Sequence, residues 1–150
     1  MSDNDLRQGE VAVELPLRSD AALYFIGRIH TPWQTRQECP KRGSPDGPVC
    51  TIVLDERWQT ALTGLQKYNR IQVLYWMQMA RRDLVLQTPF STMQTRGTFA
   101  LRSPVRPNPI ASSVVELVAI DGPQLRVRGL DCLDGTPLLD LKPMRTSADG

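Results

Sequence analysis

The chain is 150 residues long, 41% hydrophobic and 23% charged, with a formal net charge of +2. That length suits one globular domain with a sizeable core and argues against a second full domain. So small a charge does not by itself point to nucleic acid, and phosphate contact would need a local patch.

Cys39, Cys50 and Cys132 form an odd, widely spaced set with no C-x-x-C and only His30 to join them, so they read as reduced thiols and no metal site is expected. The opening "MSDNDLRQGEVAVELPLRSD" is charged throughout, without the apolar h-region of a signal peptide. No run approaches the ~20 apolar residues of a membrane span, so a cytoplasmic protein with no membrane contact is expected.

Residues 1–22 are polar and acid-rich and read as a partly ordered arm, residues 23–146 as a single domain, and 147–150 as a tail. The core starts with "LYFIGRIH" (23–30), whose aromatic and branched residues favour a strand. "TPWQTRQECPKRGSPDGP" (31–48) has four prolines and two glycines and reads as a long irregular loop carrying Arg36, Lys41 and Arg42.

"VCTIVL" (49–54) is the next strand. Asp55 then offers the N-cap of a short helix with Trp58, Ala61, Leu62 and Leu65 on one face, stopped at Gly64. "RIQVLYWMQM" (70–79) is apolar on both parities, as in a strand buried on two faces, with a helix as the alternative; "DLVLQT" (83–88) is expected to pair beside it.

Four short β-rich runs follow: "RGTFALRS", "SSVVELVAI", "QLRVRGL" and "PLLDLKP". Asp121-Gly122 and Asp134-Gly135 are hairpin-type dipeptides between them, because glycine takes positive φ freely and aspartate tolerates it. The expected fold is mainly β: a small antiparallel β-barrel with one short helix and long irregular loops.

Two stretches carry chemistry-bearing residues. In "RSPVRPNP" (102–109), Pro107 and Pro109 push Arg106 and Asn108 out of the helical region, so the segment should be extended or polyproline II. On a strand-like backbone Arg102, Arg106 and Asn108 share a parity, making a stiff clamp for a carboxylate, phosphate or sugar. The alternative is a rigid loop with solvated arginines.

"LDCLDGTPLLDLKP" (130–143) groups Asp131, Asp134 and Asp140 around a tight turn. Asp131 is read as ending a strand at a pocket mouth, and Lys142 as an exposed partner of Asp140. Trp33, Trp58 and Trp76 read as packing anchors, and His30 as a satisfied strand-end histidine. No dinucleotide, P-loop, zinc-protease or nucleophile-elbow motif is present.

Together, "RGTFALRSPVRPNPIASSVVEL" and "LRVRGLDCLDGTPLLDLKP" closely resemble the TrmO, or TsaA-like, family, and the likeness extends through "IGRIHTPW", "CPKRG" and "VLYWMQM" to cover about residues 24–145. The resemblance implies a β-barrel that binds S-adenosylmethionine without a Rossmann fold, commonly as a homodimer with the site near the interface. It also implies methylation of the exocyclic nitrogen of threonylcarbamoyl-adenosine beside the anticodon of a tRNA.

The residues carried over to the donor are Phe99, Arg102, Arg106, Pro107, Asn108, Leu130, Asp131, Cys132, Leu133 and Thr136, with Asp131 and Asp134 as the candidate catalytic carboxylates. Arg36, Lys41, Arg42, Arg126, Arg128 and Lys142 are the candidate RNA contacts. Against the family pattern stand Ala111-Ser112-Ser113 after "RPNPI", Met144 in place of an aromatic residue, and Gln87-Thr88-Pro89 in place of a basic stretch. Fewer cations at 87–89 imply weaker tRNA contact there.

Overall fold

The computed structural model of the protein describes residues 5–145. The chain folds into two compact units, one formed by the N-terminal residues through Ala22 with Met77–Ile110, the other by Leu23–Trp76 with the chain from Ala111 onward.

The second unit is the expected antiparallel barrel. Its strands are β2 (Gly27–His30), β3 (Val49–Leu54), β4 (Arg70–Trp76), β7 (Ile110–Asp121), β8 (Gln124–Arg128) and β9 (Thr136–Pro143), closed in the order β2-β3-β8-β7-β4-β9. Period-2 alternation aims Ile29, Ile52, Ile71, Val73, Leu125, Val127 and Leu138 inward, all fully buried. Each such side chain contributes about 1.5–3 kcal/mol by leaving water.

In β4 only one parity, Ile71, Val73 and Tyr75, is buried; the other is half-buried, so the strand is not enclosed on two faces as its composition suggested. β-Bulges interrupt two ladders, one where Leu74 and Tyr75 meet β9 and one where Leu117 and Ala119 meet β8.

Asp55 caps the expected short helix by accepting a hydrogen bond from Arg57 N at 3.0 Å, and that helix, Glu56–Leu62, is a 3-10 helix. Gly64, at φ +92°, separates it from a second 3-10 turn at Leu65–Lys67. Asp121-Gly122 forms the expected hairpin between β7 and β8, with Asp121 paired to Gln124 and Gly122 at φ +59°.

Asp134-Gly135 does not make a hairpin: β8 and β9 are not neighbours, and the dipeptide is the turn that feeds the chain into β9. Asp131 likewise does not end a strand. β8 stops at Arg128 because Gly129 turns to φ +120°, and residues 129–135 form a loop.

The first unit holds a three-stranded sheet of β1 (Val11–Ala12), β5 (Leu84–Gln87) and β6 (Arg96–Gly97), in the order β1-β5-β6. β5 therefore does not pair beside β4, whose neighbours are β7 and β9. The run "RGTFALRS" gives only the two residues of β6 before a 3-10 turn at Thr98–Ala100, because the buried Thr98 hydroxyl turns in to donate to Leu84 O at 2.6 Å.

The N-terminal residues are stitched to this sheet. The Glu10 carboxylate accepts from Arg7 N at 3.0 Å and Thr88 N at 2.9 Å, Thr88 Oγ1 donates to Gln8 O at 2.8 Å, and the Arg7 guanidinium lies 3.5 Å from the Phe90 ring centroid. Among the described residues no helix is long and apolar enough to cross a membrane.

Candidate functional site

The loop 129–135 is built against the β2–β3 loop at both ends of its course. Thr31 Oγ1 donates to Cys132 O at 2.8 Å, Asp134 N to Trp33 O at 2.8 Å, and Gly135 N to Ile29 O at 2.8 Å. At the far end the two backbones nearly touch, since a Cβ on Gly43 would lie 1.7 Å from Gly129 O. Only glycine fits that crossing. Leu130 and Cys132 are buried, and the side chains between them face the other way, which turns Asp131 toward the end of β4.

The two candidate catalytic carboxylates are held differently. Asp134 is saturated: Oδ1 accepts from Thr31 N at 3.1 Å and lies 3.2 Å from His30 Nδ1, and Oδ2 accepts from Gln34 Nε2 at 3.3 Å. Against the desolvation that would raise it, these hydrogen bonds and the charge of His30 hold the Asp134 carboxyl below its ordinary range. His30 is thus a satisfied strand-end histidine, as expected.

Asp131 is held at one oxygen only. Oδ1 accepts from the Tyr75 hydroxyl at 2.9 Å, and that hydroxyl lies 2.7 Å from Ser113 Oγ. Among the described residues Oδ2 has no protein partner, and no buried side-chain oxygen is left unsatisfied, so Oδ2 reaches solvent. Burial, together with the charge of Asp131, pushes the Tyr75 phenol far above its ordinary range and keeps it a hydrogen-bond donor. Burial also raises the Cys132 thiol to about 12, leaving it an unreactive wall of the loop.

Tyr75 and Ser113 were missed by reading motifs. A signal existed in that Tyr75 ends an inward row whose other members, Ile71 and Val73, are aliphatic, and a buried phenol needs a polar partner. Ser113 belongs to the Ala111-Ser112-Ser113 departure, and Ser112 is also engaged, accepting from Gln72 Nε2 at 2.8 Å.

The segment 101–109 lies in the first unit, forms no strand, and bends at Leu101, Pro104 and Arg106 to Asn108. Arg106 is turned back on its own loop, where Nη1 donates to Leu101 O at 2.7 Å and Ser103 O at 2.9 Å. Asn108 Oδ1 accepts from Arg82 Nη2 at 3.1 Å, and Arg82 Nε donates to Pro107 O at 2.5 Å. Arg102 is exposed with no partner among the described residues, and Phe99 stands 81% exposed, its ring centroid 6.0 Å from the Arg106 guanidinium carbon.

Gln87 and Thr88 point inward. Gln87 Nε2 donates to Thr98 Oγ1 at 2.8 Å and Val105 O at 2.7 Å, so both residues brace this unit and present no surface to RNA. Of the candidate RNA contacts, Arg36, Lys41, Arg42 and Arg126 are exposed, Arg128 pairs with Glu116 at 3.4 Å, and Lys142 pairs with Asp140 at 2.9 Å. Leu133 and Thr136 close the turn, with Thr136 Oγ1 donating to Leu133 O at 2.7 Å.

Residues 28–150 match the tRNA-methyltransferase O N-terminal domain. The chain belongs to that family. It is 49% identical over 146 residues to the "Probable S-adenosyl-L-methionine-binding protein VirR" of Rhizobium radiobacter, covering 97% of this chain and 83% of that one. It is 36% identical over 124 residues to an S-adenosyl-L-methionine-binding protein of Archaeoglobus fulgidus, covering 83% and 89%. The crystal structure of TrmO from Pseudomonas aeruginosa superposes with a TM-score of 0.70 at 30% identity, covering 88% of this chain and 59% of the TrmO chain. The chain thus spans about three-fifths of that larger protein.

Proposed function

We propose that the protein is an S-adenosylmethionine-dependent methyltransferase acting on the exocyclic nitrogen of threonylcarbamoyl-adenosine in tRNA. The observation that carries the reading is the half-held Asp131 carboxylate: Oδ1 anchored on a buried phenol, Oδ2 without a partner among the described residues. Family membership and the binding function in the relatives' names support the donor.

Taken unit by unit, the residue chemistry suits such a donor and acceptor. In the barrel Asp131 offers an acceptor for an N–H; in the other unit exposed Phe99 offers an aromatic face and exposed Arg102 a cation for a carboxylate or a phosphate. The donor, when bound, supplies an electrophilic methyl carbon on a sulfonium.

The acceptor nitrogen is a poor nucleophile because it is conjugated to a purine and a carbonyl, and the same conjugation acidifies its N–H. Asp131 Oδ2 takes that proton as the nitrogen–carbon bond forms and the carbon–sulfur bond breaks, giving the N-methylated base and the neutral thioether. Asp134, with both oxygens engaged, holds the loop in place. Arg36, Lys41, Arg42 and Arg126 supply phosphate contacts. The same proposal has the protein working in the cytoplasm as a homodimer, a state that analytical ultracentrifugation measures directly.

The test is incubation with methyl-labelled S-adenosylmethionine and two tRNA pools, one from normal cells and one from cells unable to make threonylcarbamoyl-adenosine. Label entering only the first pool is the expected result. Label in both pools, or in neither, overturns the acceptor. Because the relatives' names state binding only, a second reading is a donor-binding module without transfer, which predicts donor binding by calorimetry and label in neither pool.

A further inference from the structure

We infer that Tyr75 is a positioning residue, its hydroxyl, backed by Ser113, fixing the Asp131 carboxylate so that Oδ2 stays presented to the acceptor. The inference rests on the methyl-transfer reading above and adds two residues to it.

Proton counting sets the direction of the chain. A phenol has one proton, and Tyr75 gives it to Asp131 Oδ1, so the 2.7 Å contact with Ser113 Oγ has Ser113 as the donor. The Ser113 to Tyr75 to Asp131 series therefore runs one way and ends on the carboxylate. Each bond polarises the next, in surroundings where Tyr75 is only 3% exposed.

Satisfying the phenol does not require this arrangement, because Ser113 alone can serve as its partner. Steadying the loop does not require it either, since the contacts of Thr31, Asp134 and Gly135 already tie 129–135 to β2 and the residues after it. What the third bond adds is orientation of one carboxylate with one oxygen left over. The contrast with Asp134, whose two oxygens are both engaged, lies within three residues of the same loop.

The geometry of β4 places the hydroxyl. Ile71, Val73 and Tyr75 share the inward parity, and the irregular pairing of Leu74 and Tyr75 with β9 falls at the last of them. Ser113 reaches Tyr75 from β7, the strand next to β4 in the barrel.

The experiment is a double-mutant cycle read in single-turnover methyl transfer to tRNA carrying threonylcarbamoyl-adenosine, using Tyr75→Phe, Asp131→Asn and the two combined. Asp131→Asn is expected to lose about 100-fold in rate. Tyr75→Phe should lose about tenfold with donor affinity within about twofold of wild type, as expected for a misplaced rather than missing group. Combined, they should be no slower than Asp131→Asn alone, because Tyr75 acts through that carboxylate. A Tyr75→Phe protein at the wild-type rate, or losses that multiply in the double variant, would overturn the inference.

A second readout needs neither turnover nor the Tyr75 variant. The Tyr75 hydroxyl proton should give an exchange-protected proton resonance in the wild type that moves or vanishes in Asp131→Asn. If the wild type methylates no tRNA, the acceptor reading fails by itself, and a hydroxyl resonance unchanged by Asp131→Asn is then what would sink the network.

Discussion

The loop at 129–135 and the proline segment at 101–109 have similar credentials as sequence, each with charged side chains set among turn formers, and they use those charges in opposite ways. In the proline segment Arg106 Nη1 is engaged by Leu101 O and Ser103 O, and the amide oxygen of Asn108 by Arg82. In the 129–135 loop, backbone contacts and Asp134 do the tying, and one oxygen of Asp131 has no partner among the described residues. A charged residue in a stiff loop is available to a ligand only after the loop's own carbonyls and amides have found partners. Prolines make that competition harder, because each removes one backbone donor.

The crossing of the two glycines is where this contrast is easiest to break. Gly43→Ala puts a methyl group into Gly129 O, and relief requires moving backbone. A loss of about 3 kcal/mol is expected in urea unfolding, along with loss of donor binding. An unchanged midpoint would mean the loop is not held by that crossing.

The two arginines of the proline segment sharpen it further. Arg106→Ala leaves two carbonyls without their donor and should cost about 2 kcal/mol, whereas Arg102→Ala should change stability by less than about 0.5 kcal/mol while weakening anion or tRNA binding. Paired unfolding and binding titrations check both, and the reverse pattern would return Arg106 to the role of a free cation.

The smallest effect concerns Asp134. Its carboxyl lies below the ordinary 3.8 in the folded protein, so between the folded and unfolded values the unfolded chain binds more protons. Its contribution is therefore complete above about pH 4 and is lost as pH falls through the depressed value. Asp134→Asn should therefore lower stability near neutrality, where that contribution is complete, and flatten the acid limb, with the difference from wild type shrinking as pH falls through the depressed value. A loss of equal size at every pH, acid included, would argue against the bonds to Thr31 and Gln34 as the cause.

Legibility in the sequence followed the range of the interactions. The Asp55 cap and the Asp121-Gly122 hairpin with its strands β7 and β8 depend on neighbours close in sequence, and local pattern exposes them. The stitching of Glu10 to Thr88, of Thr31 to Cys132 and of Tyr75 to Asp131 joins residues 78, 101 and 56 positions apart, and no local pattern announces it. For the same reason Gln87 and Thr88 read as surface residues that had lost a basic patch, when their hydrogen-bond partners lie inside the fold. The motifs did contain Asp131, but what distinguishes it from Asp134 is the tally of bonds at each oxygen.

The most direct test of that distinction is a side-by-side comparison of Asp131→Asn and Asp134→Asn in single-turnover methyl transfer, at a temperature where both are fully folded. Loss of about two orders of magnitude in Asp131→Asn, with Asp134→Asn retaining most of the wild-type rate, is the predicted result. An Asp131→Asn protein transferring methyl groups at the wild-type rate would contradict it.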